Sequence, residues 1–287
     1  MQAQTRQAQT GKAQTGKAQT GKAQTRDNHA IAYDLVGAPS APHRFALTHS
    51  LALDRNFWTP VVEQLSQALG QDAAILTWDC RGHGQSDKPR QAYSVEQFAD
   101  DLADLFDHVG WSDAIVAGAS MGGCISLAFA GQYPARTRGL GLFDTTAWYG
   151  PDAPAQWADR AGKALSEGLT GLVAFQKIRW FGDAFRDDHA DVVDACLDVF
   201  LRNDLEAYAA SCRMLGAADL RAHLPAIRVP TRVLVGAEDL ATPIAMAEVL
   251  HNGIVGSTLT IVPDARHLSP LEVPDLIARE LQALAKA

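Results

Sequence analysis

The chain has 287 residues, 47% of them hydrophobic, with a net charge of −8 and a pI near 5.5. That size suits one large globular domain that needs no staple to build its core. The acidic balance argues against a general nucleic-acid binder, which needs a basic face. No apolar run approaches the ~20 residues of a membrane-crossing helix, and no charged start followed by an apolar stretch marks a signal peptide. Cys80, Cys124, Cys196 and Cys212 are scattered without paired spacing. Neither a disulfide framework nor a metal site is therefore expected, and a reducing cytoplasm is the expected location.

Residues 1–25 are a five-residue repeat, MQAQT, RQAQT and then GKAQT three times. With Arg26 the segment carries five basic residues and no acid. It offers no bulky apolar side chain after Met1 to offset chain entropy, so residues 1–26 are expected to be disordered and dispensable. The domain is expected over 27–287, where 20 basic residues face 33 acidic ones, a balance of −13. Short aliphatic runs read as strands at 29–36, 44–50, 73–79, 113–119, 138–143, 231–236 and 257–262. Helical patterns fill 56–69, 94–109 and 121–133. The second of these begins with Ser94 and Gln97, a capping-box signature. Such alternation implies a mainly parallel sheet with helices on both faces. From about 146 to 222 no strong strand is visible, and Trp148, Trp157 and Trp180 fall there. That segment reads as a helical insertion, placed to cap the strand ends.

The sharpest signal is Gly118-Ala119-Ser120-Met121-Gly122-Gly123, between a strand and a helix. In that context GxSxG reads as a nucleophile elbow. The turn strains its middle residue, small neighbours avoid collision, and the N–H of Met121 at the helix start faces a developing oxyanion. A serine hydroxyl needs a base and an orienting acid, here expected in the order Ser, acid, His. Asp239 follows the strand TRVLVG, with Glu238 as its neighbouring rival and Asp144 as the runner-up from the strand after the elbow helix. His267 lies in the loop after the last strand. The loop after the strand at 44–50 should give a second oxyanion donor, the N–H of Leu51. His49 is expected to order that loop and His83 to be structural.

Residues from about 44 to 283 resemble the α/β-hydrolases, with GASMGG, GAEDLATP and DARHLSP in that family's order. HSLALDRNFW, WDCRGHGQSDKP, Ile178-Arg179-Trp180-Phe181 and EAYAASCRMLGAADLR are further similar to the 3-oxoadipate enol-lactonases. The loop of those enzymes reads close to N-S-L-G, so His49 stands here for Asn and Ala52 for Gly. The resemblance implies an α/β-hydrolase fold with a helical cap, and a Ser120-His267-Asp239 triad opening a β-ketoadipate enol-lactone in aromatic degradation. It implies a small lactone or ester substrate and no metal or organic cofactor. A carboxylesterase, a perhydrolase or a C–C bond hydrolase would use the same triad, and a hydrolase-fold ligand sensor is the rival from another class. Enzymes of this fold with an Asp nucleophile are disfavoured by Ser120. An enol-lactone acid carries a carboxylate into an acidic domain, so a local cation is expected. Arg179 in the insertion is the candidate, with Trp180 as an apolar wall; a surface ion pair is the alternative for Arg179.

Overall fold

The aliphatic runs assemble into one eight-stranded sheet, seen in a computed structural model that describes residues 18–287. The strands are β1 (Gln19–Gln24), β2 (Ala30–Val36), β3 (His43–Thr48), β4 (Ala73–Trp78), β5 (Ala114–Ala119), β6 (Thr137–Phe143), β7 (Thr231–Gly236) and β8 (Thr258–Val262). Their spatial order is β1-β2-β4-β3-β5-β6-β7-β8. β2 pairs antiparallel with β1 and with β4, and every other neighbour is parallel. β4 and β5 are buried along their whole length, as continuous apolar runs should be when helices cover both faces.

The helices that cover them are α1 (Thr59–Leu69), α2 (Val95–Val109) and α3 (Met121–Gln132). Between β6 and β7 come α4 (Ala153–Glu167), α5 (Val173–Trp180), α6 (Asp183–Asp188), α7 (Ala190–Leu201) and α8 (Leu205–Ala217). After β7 come α9 (Ile244–Gly253), α10 (Ser269–Glu272) and α11 (Pro274–Ala285). α1 packs on α11 and α2 on α3, while α4 and α8 pair within the cap. Among the described residues no helix is long and apolar enough to cross a membrane. The architecture is that of an α/β-hydrolase, a mainly parallel sheet flanked by helices with a helical cap insertion.

Two local expectations need correction. Ser94 caps α2 by accepting the Gln97 N–H at 3.2 Å, but the Gln97 side chain does not reach back to complete the box. Its side-chain nitrogen donates to Asp27 at 3.3 Å instead, which turns the amide away from the Ser94 N–H that its oxygen would have to accept. The expected disorder of residues 1–26 fails over its last part. β1 runs through the repeat and pairs with β2 from Gln19↔Leu35 to Gln24↔Ala30. Composition measured the cost of ordering this segment but not what it covers, the exposed backbone edge of β2. Ala23 is buried, Gly21 leaves room for the Tyr33 ring, and the Arg26 guanidinium holds Asp104 at 2.8 Å. Residues 1–17 lie outside the described residues.

The expectation about truncation therefore reverses. Removing residues 2–26 should lower Tm by roughly 5 °C or more, from a few net hydrogen bonds of ~0.5–1.5 kcal/mol each. Calorimetry of the shortened and full chains checks this, and equal melting temperatures would show that β1 contributes nothing.

Candidate active site

β5 runs directly into α3, and the residue between them is Ser120, with φ 55° and ψ −118°. A non-glycine residue in that region is strained by about 1–3 kcal/mol and must be held by its surroundings. Its N–H donates to the Phe143 carbonyl at 2.9 Å. Its own carbonyl accepts from the Gly123 N–H at 2.9 Å, the Cys124 N–H at 3.2 Å and the Thr145 hydroxyl at 2.6 Å. The glycines around it are steric necessities: a Cβ at Gly118 would strike the Gly122 backbone, and one at Gly122 the Thr48 carbonyl. A Cβ at Gly123 would lie 2.5 Å from the Thr145 side chain.

The loops after β7 and β8 bring the other two groups to this turn. His267 Nε2 lies 2.9 Å from Ser120 Oγ, and His267 Nδ1 lies 2.8 Å from Asp239 Oδ2. All three are buried, at 5% exposure for Ser120 and 4% each for Asp239 and His267. Asp239 Oδ1 accepts the N–H groups of Ala241 at 2.6 Å and Thr242 at 2.9 Å, and Oδ2 also accepts the Thr242 hydroxyl at 2.8 Å. Burial works to raise its pKa, but the His267 interaction and these donors outweigh it and hold the carboxyl below its ordinary value. The Asp239 pattern is an Asx-type turn, so Asp239-Leu240-Ala241-Thr242 carried a sequence signal for Thr242 that the reading of the chain passed over.

The rival acids have other partners. Glu238 points to Arg266, whose Nη2 donates to it at 2.9 Å. Asp144 directly follows β6, at φ 46°, and accepts the N–H of Gly236 at 3.1 Å and of Ser269 at 2.9 Å. It thus ties the start of the acid loop to the residues just past His267, without touching the imidazole. Burial, then the nearby charge of Asp239, push its pKa well above the carboxylate range against those two N–H donors.

His49 is buried in the loop after β3. Its Nε2 accepts the Cys80 N–H at 3.0 Å, which places the proton on Nδ1, 2.8 Å from the Ser50 carbonyl. Burial lowers its pKa, so it stays neutral. A trans peptide sets the Ser50 carbonyl and the Leu51 N–H on opposite sides. Fastening the carbonyl to His49 therefore fixes where the Leu51 N–H points. Ala52 adopts φ 62°, the left-handed region that favours glycine. Met121 is the first residue of α3, so its N–H has no partner one turn back.

A narrow cavity is lined by Ser50, Leu51, Ser120 and His267 from the sheet side, and by Arg179 and Trp180 from the cap. It therefore gathers five of the seven expected site residues, Leu51, Ser120, Arg179, Trp180 and His267, while Asp239 and Met121 lie outside its lining. Trp180 does more than form a wall: its carbonyl accepts the N–H of His267 at 3.1 Å and of Leu268 at 3.2 Å. The cap also holds the histidine loop through Arg266, which donates to the carbonyls of Ile178 at 2.8 Å and Phe181 at 3.0 Å. Arg179 is no surface ion pair. It lies against the Phe175 ring and, among the described residues, donates only a long bond, 3.4 Å, to the Ala241 carbonyl. Tyr149, Arg160 and Gln176 line the same cavity and escaped the sequence reading, since lone residues on helices carry no motif. Among the described residues no cluster of three or more His, Cys, Asp or Glu could hold a metal ion.

Comparison with known proteins gives consistent relatives. A family model described as serine aminopeptidase, S33, matches residues 47–273. The 3-oxoadipate enol-lactonase 2 of Acinetobacter baylyi is 31% identical over 258 residues, covering 90% of this chain and 93% of that one. Among solved structures, the enol-lactonase from Burkholderia xenovorans LB400 superposes with a TM-score of 0.87 at 31% identity, over 93% of this chain and 100% of that one. A thermophilic esterase from Thermogutta terrifontis gives a TM-score of 0.84 at 28% identity, over 94% and 98% of the two chains.

Proposed function

The chain belongs to the α/β-hydrolase family, and from that membership we propose that it is a serine hydrolase opening a lactone ester bond, with 3-oxoadipate enol-lactone as the favoured substrate. The observation that carries the chemistry is the continuous chain Asp239 Oδ2, His267 Nδ1, His267 Nε2 and Ser120 Oγ, with links of 2.8 and 2.9 Å. In this reading Ser120 Oγ attacks the lactone carbonyl while His267 Nε2 takes its proton. The N–H groups of Met121 and Leu51 receive the oxyanion. Collapse of the tetrahedral intermediate breaks the ring C–O bond, and His267 returns the proton to the leaving oxygen, which stays tethered to the acyl chain. Water activated by His267 then attacks the acyl-enzyme and releases the acid. The freed enol tautomerises to a ketone, which draws the reaction forward. Asp239 holds the Nδ1–H tautomer throughout.

The lactone assignment draws on the similarity to enol-lactonases over nine-tenths of the chain, and on an unpaired cation in the cavity. Arg179 has no carboxylate partner among the described residues, and burial together with the neighbouring Arg160 lowers its pKa. A substrate carboxylate would supply the missing charge. Arg179→Ala is therefore expected to raise KM for the enol-lactone about ten- to a hundredfold more than for a neutral short-chain ester. Equal effects on both would make Arg179 structural.

Steady-state turnover of the enol-lactone, with identification of the keto acid, tests the assignment against a chromogenic short ester. A general carboxylesterase, the second reading, is favoured by the likeness to the thermophilic esterase. It would turn over the short ester far better than the lactone. A ligand sensor would give a single turnover on either.

A further inference from the structure

Arg160, on α4, lies beside Arg179 in the cavity that contains Ser120 and His267. Its Nε donates to the Tyr208 hydroxyl at 2.7 Å and its Nη2 to the Gln176 side-chain oxygen at 3.0 Å. Its guanidinium carbon lies 5.0 Å from the Trp157 ring centroid and 5.7 Å from that of Phe175. Arg179 stands 5.3 Å from the same Phe175 ring. Neither arginine forms an ion pair with a carboxylate among the described residues. The carboxylate that acts on Arg179 from a distance is Asp239, and that group is already held by His267, Ala241 and Thr242. On the outer rim, Lys163 is paired with Asp159 at 3.1 Å.

Both guanidiniums are half-buried, and an arginine drawn partly out of water by the fold alone is normally matched by an acid, because an uncompensated charge costs more as water is withdrawn. Here two guanidiniums converge from different helices, and the groups they touch are neutral, with the acids Asp159 and Glu167 on the rim of the adjoining pocket. Rings and neutral oxygens solvate the charges without cancelling them. Arg160 Nη1 and Arg179 Nε and Nη1 make no hydrogen bond among the described residues, so each guanidinium keeps donors that a carboxylate can accept.

We propose that Arg160 and Arg179 together form a clamp for a carboxylate at the far end of the substrate from the bond attacked by Ser120, and that Arg160 sets the preference for anionic acyl chains. The clamp rests on the serine-hydrolase reading of the same site. It adds Arg160 as a second cation, and with it a preference that holds for any small acid whose carboxylate is joined by a short chain to the acyl carbon. A neutral acyl chain of the same length would leave both cations without a counter-charge.

A matched pair of esters reads this directly: mono-p-nitrophenyl adipate carries the carboxylate, and p-nitrophenyl hexanoate is its neutral counterpart. The full-length enzyme should favour the anionic ester in kcat/KM. Arg160→Gln and Arg179→Gln should each reduce the ratio between the two esters about ten- to a hundredfold, mainly through KM. Tyr208→Phe, which removes a partner of Arg160 but not its charge, should move that ratio by no more than about twofold. An unchanged ratio in Arg160→Gln, or an equal collapse in Tyr208→Phe, overturns the clamp. If Arg160→Gln does not fold, competition against p-nitrophenyl acetate in the unmodified enzyme decides. Adipate inhibiting no better than 1,6-hexanediol then overturns it, and stronger inhibition that weakens with added salt supports it. Both esters report on any serine hydrolase at this site, so the lactone assignment is separable. An enzyme with the ester preference but no lactone turnover keeps the clamp and loses the lactone, and the converse result does the reverse.

Discussion

Ser120→Ala is expected to reduce kcat on any ester or lactone by about 10⁶ and to leave the fold intact. In the proposed mechanism the hydroxyl is the nucleophile, and its removal would leave only the acceleration from binding and the oxyanion donors. Alanine should not disturb the turn. The strain at φ 55° belongs to the backbone, and the bonds that hold it run from the main chain of Ser120 to Phe143, Gly123, Cys124 and Thr145. Only the 2.9 Å bond to His267 is lost. Steady-state kinetics with melting curves checks both halves, and activity within tenfold of the parent would remove Ser120 from the mechanism. An organophosphonate should label Ser120 in the parent, with attachment elsewhere equally damaging to the assignment.

Asp239→Asn should lower kcat by up to ~10⁴, far more than Asp144→Asn. The two N–H donors on Oδ1, from Ala241 and Thr242, would keep the amide oxygen of the variant where it is. The amide nitrogen then takes the Oδ2 position and offers a proton to His267 Nδ1. That selects the tautomer with the proton on Nε2, which cannot accept one from Ser120. Asp144 does not contact the imidazole, and its own environment already disfavours its charged form. Asp144→Asn would set an amide nitrogen against the N–H of Gly236 or Ser269, at a cost of about 1–3 kcal/mol in stability. Asp239→Asn should thus act chiefly on kcat and Asp144→Asn chiefly on Tm. The opposite ranking in kcat would assign the acid to the loop after β6.

Much of this geometry was legible in the chain. Aliphatic runs such as AAILTW and AIVAGA read as buried parallel strands because their side chains face helices on both sides. GASMGG read as an elbow because no residue larger than glycine fits at Gly118 or Gly122. Asp239 and His267 were found because loops at the carboxyl ends of parallel strands converge on one edge of the sheet. These are local patterns, fixed by periodicity, turn chemistry and chain order.

What the sequence could not carry depends on partners distant along the chain. The pentapeptide tail had no apolar stripe, yet residues 19–24 became a strand because the edge of β2 was open and its register with Ala30–Leu35 could be filled by backbone alone. The role of Trp180 as anchor of the histidine loop is played by a carbonyl, and a main-chain atom leaves no trace in residue identity. Arg179 was a candidate cation with a surface ion pair as its alternative, and Arg160 one basic residue among 25, until the cap helices set both against Phe175 without an acid between them. Sequence determined the sheet and the order of the reacting groups, because those follow from short-range sterics and hydrophobic period. Only the tertiary structure decided which charges were left unpaired over Ser120, because pairing depends on which distant side chains the folded backbone brings within reach.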